Sequence, residues 1–298
     1  MLHTIDLNLF VLFEVIYDTG SLTQTAQTLN KTQPAISNAL ARLRRSVGDP
    51  LFIHAGKKMN PTARADDLIG PVRQALRLLQ DSLSDETGFN PALVRKTVRL
   101  SVGDIGETII LPGFLKILRQ EAPGISVHVV QIPRRSIARK LAVSEIDLAI
   151  DILMSVGGEL RQCPLMSDRQ VCVLSFDHPL ASEKELTLEA YLANGHIHVS
   201  SRSKGDGVAD IGLGKFGASR TKIVRLQHHQ AAFAMLDQSG LLLAAPSKLA
   251  ELYPCKVFEL PFEAPGLDLH LYWHNSTEGS ALGRWLREKM IEAAGAIA

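Results

Sequence analysis

Cysteine is scarce in this chain of 298 residues: only Cys163, Cys172 and Cys255 occur. An odd, sparse set cannot build a disulfide framework and suits a reducing compartment, so a cytoplasmic location is expected. Long apolar runs are missing too; none approaches the roughly 20 residues that cross a bilayer. The first eight residues lack the cationic stretch and apolar core of a secretory signal, and no membrane partner is expected. Net charge is nearly absent, with 32 Lys+Arg against 31 Asp+Glu, or +1. What remains is ordinary: 46% hydrophobic and 21% charged residues, a balance that excludes a disordered or collagen-like chain. At roughly 150 residues per domain the length suggests two domains.

The near-zero average speaks against a nucleic-acid partner, but the charge is unevenly placed. Between Ser21 and Asn60 stand Lys31, Arg42, Arg44, Arg45, Lys57 and Lys58 against the single acid Asp49, a net +5. The rest of the chain carries −4. Screening makes only charges within about 8–10 Å effective at physiological salt, so a local excess is what phosphate attraction requires.

The same stretch patterns as two capped helices and a hairpin. Asp6 can cap a first helix carrying Leu9, Phe10, Phe13 and Ile16, which Gly20 ends. Ser21 and Gln24 form a capping box for a short second helix through Leu29. Asn30 suits the left-handed turn that follows, and Thr32 can cap a third helix with Pro34 in its first turn. On that helix Ile36, Leu40, Leu43 and Val47 share one stripe. Pro34, Asn38, Ala41, Arg42 and Arg45 face away from it, with Gln33 and Ser37 at the exposed N-terminal edge. Amides, a hydroxyl and guanidiniums on one face can contact base edges and phosphates in a major groove. Candidate DNA-contacting residues are therefore Thr32, Gln33, Pro34, Ser37, Asn38, Arg42 and Arg45; Arg44 lies nearer the buried stripe and is expected in a structural ion pair. Residues 49–62 pattern as a two-stranded wing whose tip places Lys57 and Lys58 near the DNA backbone, where contacts position without specifying sequence.

A helix from Thr62 to about Leu83 carries Leu68, Val72, Ala75, Leu76, Leu79 and Leu83 on one side, a seam that a second copy of the chain or the next domain must cover. Residues 84–91 then break the pattern with turn formers and acids. The expected division is 1–62 for the winged helix-turn-helix, 63–90 for a dimerising linker helix and hinge, and 91–298 for a second domain.

With these residues in place, the chain resembles the LysR-type transcriptional regulators over essentially its whole length. The matching residues are Asp6-Leu7-Asn8-Leu9, Ala26, Leu29, Thr32 to Ser37, Leu40, Leu43-Arg44, Gly48 to Phe52 and Pro61-Thr62. Within that family it is most similar to the NodD/NahR-like branch, through Gly103 to Glu107, His178-Pro179, Trp273-His274 and Trp285-Leu286-Arg287. One departure is His54, where the family's wing usually carries Arg, so a fixed cation becomes a titratable one. The resemblance implies a sequence-specific regulator of promoter DNA, a homodimer or homotetramer, that senses a small molecule such as an aromatic acid or phenolic compound and has RNA polymerase as a partner.

Residues 91–298 alternate strands and helices as a two-lobed α/β fold, with one lobe at about 91–161 and 268–298 and the other at about 162–267. This resembles the periplasmic-binding-protein-like effector domain of the family. Ligands in such folds sit at the carboxyl ends of strands, near helix N-termini. That rule selects Gly103, Asp104 and Ile105 in the first lobe, and Ser200, Ser201, Arg202, Asp206 and His228 in the second. The serines and Arg202 could hold a carboxylate, whereas Asp104 and Asp206 better suit a hydroxyl or amine donor. The basic run Arg134–Lys140 patterns as a solvated helix face.

An enzyme would need chemistry that is hard to find. Gly103-Asp104-Ile105-Gly106 lacks the third glycine of a nucleotide loop, and no carboxylate or cysteine stands at metal-ligand spacing beside His196, His198, His228 or His229. No cofactor is expected. A redox sensor would need a reactive thiol, and Cys172 falls in a core strand.

Overall fold

Hydrogen bonds local in sequence set the first 48 residues. In the computed structural model, which describes residues 6–55, 58–83, 89–155, 157–200 and 205–297, helix α1 spans Asn8–Thr19. The Asp6 carboxylate accepts from the Asn8 amide at 3.0 Å, and Gly20 ends the helix at φ 59°. Helix α2 (Leu22–Thr28) starts with the Ser21 hydroxyl accepting from the Gln24 amide at 3.3 Å. The other half of the expected capping box is supplied differently, because the Ser21 N–H goes to the Thr19 hydroxyl. Asn30 adopts φ 50°, Thr32 caps helix α3 (Gln33–Val47) by accepting from Ala35, and Gly48 closes it at φ 73°. Strands β1 (Phe52–Ala55) and β2 (Lys58–Pro61) pair antiparallel as the wing. Phe13, Ile16, Ile36, Leu40, Leu43, Leu51 and Phe52 form the core beneath.

Helix α4 (Ala63–Leu83) runs unbroken through Pro71. Its apolar side divides: Ala65, Ile69 and Val72 are buried in the DNA-binding core of the same chain, whereas Leu79 is half exposed. Covering by the chain itself accounts for Ala65, Ile69 and Val72, with Leu68 and Leu76 packed against the same core. Midway, the buried Arg73 pairs with Glu14 and Asp18 of α1, lies 5.6 Å from the Tyr17 ring centroid, and donates to the Val143 carbonyl at 3.1 Å. Arg99 also reaches Asp18, at 3.0 Å. Through these contacts the winged domain docks on the first lobe.

The first lobe is a five-stranded sheet in the order β4-β3-β5-β12-β6. It comprises β3 (Lys96–Val102), α5 (Asp104–Ile109), α6 (Leu111–Glu121), β4 (Ile125–Val130), α7 (Arg134–Ala142), β5 (Leu148–Ile152), β6 (Leu160–Asp168), β12 (Leu267–His274) and α12 (Ala281–Gly295). Strands β3, β4 and β5 are parallel, and β12 runs antiparallel to both β5 and β6. Between Asp104 and Glu121 the chain forms two helices, broken at Ile110 just ahead of Pro112 and Gly113.

The second lobe is another five-stranded sheet, β11-β7-β10-β8-β9. It comprises β7 (Gln170–Leu174), α8 (Leu188–Ala193), β8 (Gly195–Val199), α9 (Val208–Gly214), β9 (Thr221–Leu226), α10 (His229–Ser239), β10 (Leu242–Pro246), α11 (Ser247–Ala250) and β11 (Lys256–Glu259). The chain crosses into it at Arg169, not near residue 161, because all of β6 belongs to the first sheet. Pro164 sits inside β6, where an edge strand and a register shift in the facing strand tolerate its missing N–H. Buried residues of the two lobes form one contiguous cluster, from Val98 and Leu100 to Val173 and Leu243.

Candidate DNA-reading face and effector cleft

The amphipathic pattern of α3 puts Ile36, Leu40 and Leu43 in the core and leaves Gln33, Pro34, Ser37, Asn38, Arg42 and Arg45 exposed. Thr32, also exposed, uses its hydroxyl as the helix cap. Arg42 lies 3.3 Å from Asp6, an exposed pair that a phosphate can replace. Arg45 bonds back to the Ala41 carbonyl at 3.4 Å. Lys58 is exposed at the start of β2, and Lys57 lies outside the described residues.

Arg44 makes no ion pair among the described residues; it ties α3 to the wing. Its Nε donates to the Pro50 carbonyl at 2.6 Å and its terminal nitrogen to the Phe52 carbonyl at 2.7 Å. Between those carbonyls Leu51 sits at φ 58°, a left-handed conformation costing about 1–2 kcal/mol for a branched side chain. Asp49 Oδ1 accepts from the Leu51 amide at 2.6 Å and from the Thr62 hydroxyl at 2.8 Å, and the Thr62 amide donates to the Leu51 carbonyl. These bonds over-determine the turn and fix the wing beside α3.

In the sensor domain, Gly103 caps α5, and Asp104 and Ile105 form its first turn at the carboxyl end of β3. Gln131 faces Gly103: a Cβ there would stand 3.7 Å from its side-chain nitrogen. At the carboxyl edge of the second sheet the Ser200 amide donates to the Leu226 carbonyl at 2.9 Å, which brings Ser200 close to His228, the N-cap of α10. Ser201 and Arg202 lie outside the described residues.

Asp104 spans the lobes. One carboxylate oxygen accepts from the His229 amide at 2.7 Å and faces the His229 Nδ1 at 2.8 Å, so a first-lobe acid caps a second-lobe helix. Gln230 donates to the Thr108 hydroxyl beside it at 3.1 Å. Burial alone raises the Asp104 carboxyl, but the hydrogen bonds and charge of His229 outweigh it and hold the group below the usual carboxylate range. Sequence reasoning selected His228 and passed over His229; the signal was positional, since the residue after an N-cap has a free N–H.

Asp206 pairs with Lys222 at 3.0 Å, four residues before the carboxyl end of β9, and Lys222 also reaches Asp210 at 3.2 Å. Asp210 belongs to a buried network: Arg220 Nε donates to it at 2.8 Å, His198 Nδ1 lies 3.5 Å away, and the Gly207 amide donates at 2.8 Å. His196 Nε2 lies 2.8 Å from the Tyr191 carbonyl. Burial pushes both His196 and His198 down to about 4, and holds the Tyr191 hydroxyl as the neutral phenol. Asp210 stays well below the usual range because the Arg220, Gly207 and Lys222 bonds more than offset its burial. This network ties His198 of β8 to the start of α9.

The three cysteines are unbridged, and burial pushes their thiols up, Cys172 to about 12. Such thiols are poor nucleophiles. Among the described residues no cluster could hold a metal, and no helix is long and apolar enough to cross a membrane.

Comparison with known proteins agrees with this geometry. Residues 7–66 match the bacterial regulatory helix-turn-helix protein model of the lysR family, and residues 91–295 match the LysR substrate binding domain. The HTH-type transcriptional activator NahR of Pseudomonas putida is 31% identical over 98% of both chains. Nodulation protein D 2 of Rhizobium tropici is 30% identical over 97% of this chain and 93% of its own. A probable transcriptional regulator from Pseudomonas aeruginosa superposes with a TM-score of 0.73 at 30% identity, covering 97% of each chain. A helix-turn-helix with an exposed amide- and Arg-bearing face, joined by one long helix to a two-lobed substrate-binding domain, thus places this chain in the LysR family of transcriptional regulators: it is a DNA-binding regulator and not an enzyme.

Proposed function

We propose that the chain reads an interrupted inverted repeat in promoter DNA as a dimer or tetramer, with α3 in the major groove and the wing on the backbone. The exposed face of α3, bearing Gln33, Ser37, Asn38, Arg42 and Arg45, carries this reading. Thr32 and Pro34 set its entry into the groove, and Lys57 and Lys58 meet phosphates. The apolar seam along α4 supplies the contact between copies. The regulator works in the cytoplasm with RNA polymerase as its partner.

The effector occupies the interlobe cleft, against Gly103, Asp104 and Ile105 on one side and Ser200, Ser201, Arg202 and His228 on the other. An aromatic acid or phenol fits: its carboxylate or hydroxyl suits the serines, the guanidinium and the α10 N-terminus. Asp206, paired with Lys222, suits a hydroxyl or amine donor on the ligand. The effector changes transcription to the extent that it binds two lobe arrangements with different affinity.

Fluorescence anisotropy on promoter duplexes tests the DNA reading. Asn38→Ala should relax preference at one base pair of each half-site by about 1–3 kcal/mol. An equal loss of affinity for every sequence would show that α3 is turned otherwise. A thermal-shift series of small aromatic acids and phenols tests the effector reading, since a ligand of the native state raises stability; no shift with any of them removes that class.

A further inference from the structure

A cavity lies on the first lobe, between the start of α7 and the segment that follows β5. It has a volume of about 360 Å³, and the described residues that line it all belong to the first lobe. One wall is the start of α7, with Arg134, Arg135 and Ala138; the other is the segment after β5, with Leu153, Met154 and Ser155; Leu160 closes it. The second wall is held in place from below. The buried Tyr272 hydroxyl accepts from the Met154 amide and donates to the Ile152 carbonyl, both at 2.9 Å. The cavity is therefore preformed, and Leu153 stands 59% exposed at its rim.

The two arginines differ. Arg134 is fixed to Asp151 by two bonds of 3.2 and 2.7 Å, which neutralise it. Arg135, exposed beside it, forms no ion pair among the described residues. Its charge is also misplaced for helix stability: α7 opens with two cations and no acid, and the helix dipole disfavours cations in a first turn. An uncompensated guanidinium at one end of a preformed, mostly apolar cavity defines the complementary ligand. It carries one negative charge and a compact apolar body, and the volume falls at the small end of ligand pockets.

We propose that this cavity binds a small organic monoanion, its carboxylate on Arg135 and its apolar body against Ala138, Leu153, Met154 and Leu160. The basic run that patterns as a solvated helix face thus includes a ligand contact. The described lining shares no residue with the interlobe site proposed above, and the two proposals succeed or fail independently.

Calorimetric titration of the full chain with benzoate tests this, with benzamide as the neutral isostere and inorganic sulfate as the anion without an apolar body. Arg135→Ala should weaken one saturable benzoate site by roughly tenfold or more, about 1.4 kcal/mol. Ala138→Trp, a substitution at an exposed position, should block the same site by filling it. Ser200→Ala, in the interlobe cleft, should leave that site intact. Benzamide and sulfate should each bind it more weakly than benzoate. Unchanged benzoate binding in both Arg135→Ala and Ala138→Trp overturns the proposal, as does the absence of any saturable benzoate binding to the wild-type chain. Sulfate binding as tightly as benzoate also overturns it, since the apolar walls would then contribute nothing.

Discussion

Asp104 caps helix α10 from the opposite lobe, accepting the His229 amide at 2.7 Å and lying 2.8 Å from its ring nitrogen. The pair ties the two lobes to each other. Asp104→Asn keeps the shape but removes the charge, and hydrogen bonds to charged groups contribute about 1.5–3 kcal/mol. Amide exchange at the start of α10 should quicken in the variant while exchange in β8 and β10 stays slow. Unchanged protection at His229 would mean that apolar contact and the Gln230–Thr108 bond hold the lobes without it.

Arg44 should matter for fold and for DNA affinity together. Arg44→Ala leaves the Pro50 and Phe52 carbonyls without their donor and frees the strained Leu51 turn. A loss of about 1–3 kcal/mol is expected in denaturant unfolding. Arg44→Lys should recover little, since one ammonium lacks the fork that spans both carbonyls. Full stability in the lysine variant would show that charge, not geometry, joins the wing to α3.

The wing can be probed at His54. His54→Arg puts a permanent cation on β1, and DNA affinity near neutral pH should rise for all sequences alike, with a salt slope steeper by about one. Affinity identical to wild type at about pH 8 would show that no phosphate lies near β1.

Acid should unfold the second lobe first. His196 and His198 titrate near 4 in the folded chain, below the ordinary 6.5. The unfolded chain takes up protons on both below about pH 6.5 while the folded chain resists, so stability present above that pH is lost as it falls toward 4. At about 1.36 kcal/mol per pKa unit, each histidine contributes at most about 3 kcal/mol. Asp210, held low, acts in the same direction below the ordinary carboxylate value. Urea unfolding of His198→Gln should show a flatter pH dependence than wild type between about pH 7 and pH 5; parallel curves would remove the histidine from the account.

What could be read from the chain was whatever is decided within a few residues. Gly20, Asn30 and Thr32 mark the ends of α1 and α2 and the start of α3 because caps and left-handed turns depend on the local backbone. The exposed face of α3 follows from helical period alone. Strand β6 escaped because Leu160–Asp168 lacks alternation and contains Pro164, tolerated only through its edge position. The break between α5 and α6 was hidden by an apolar period that continues across it. Long-range pairings were out of reach. Nothing near Asp104 announces a partner 125 residues away, and nothing near Asp206 shows that Lys222 holds it.

Arg73 is shared property. Its guanidinium is held by α1 of the DNA-binding domain on one side and by the Val143 carbonyl of the sensor on the other. A rearrangement that moves Val143 must therefore be felt at α1, and the reverse holds equally. Thermodynamic reciprocity then sets a condition on the whole molecule: if effector changes DNA affinity by some factor, DNA changes effector affinity by the same factor. A regulator seated on its promoter would accordingly sense its effector at a different threshold from one free in solution, and the promoter itself would be part of the sensor's calibration.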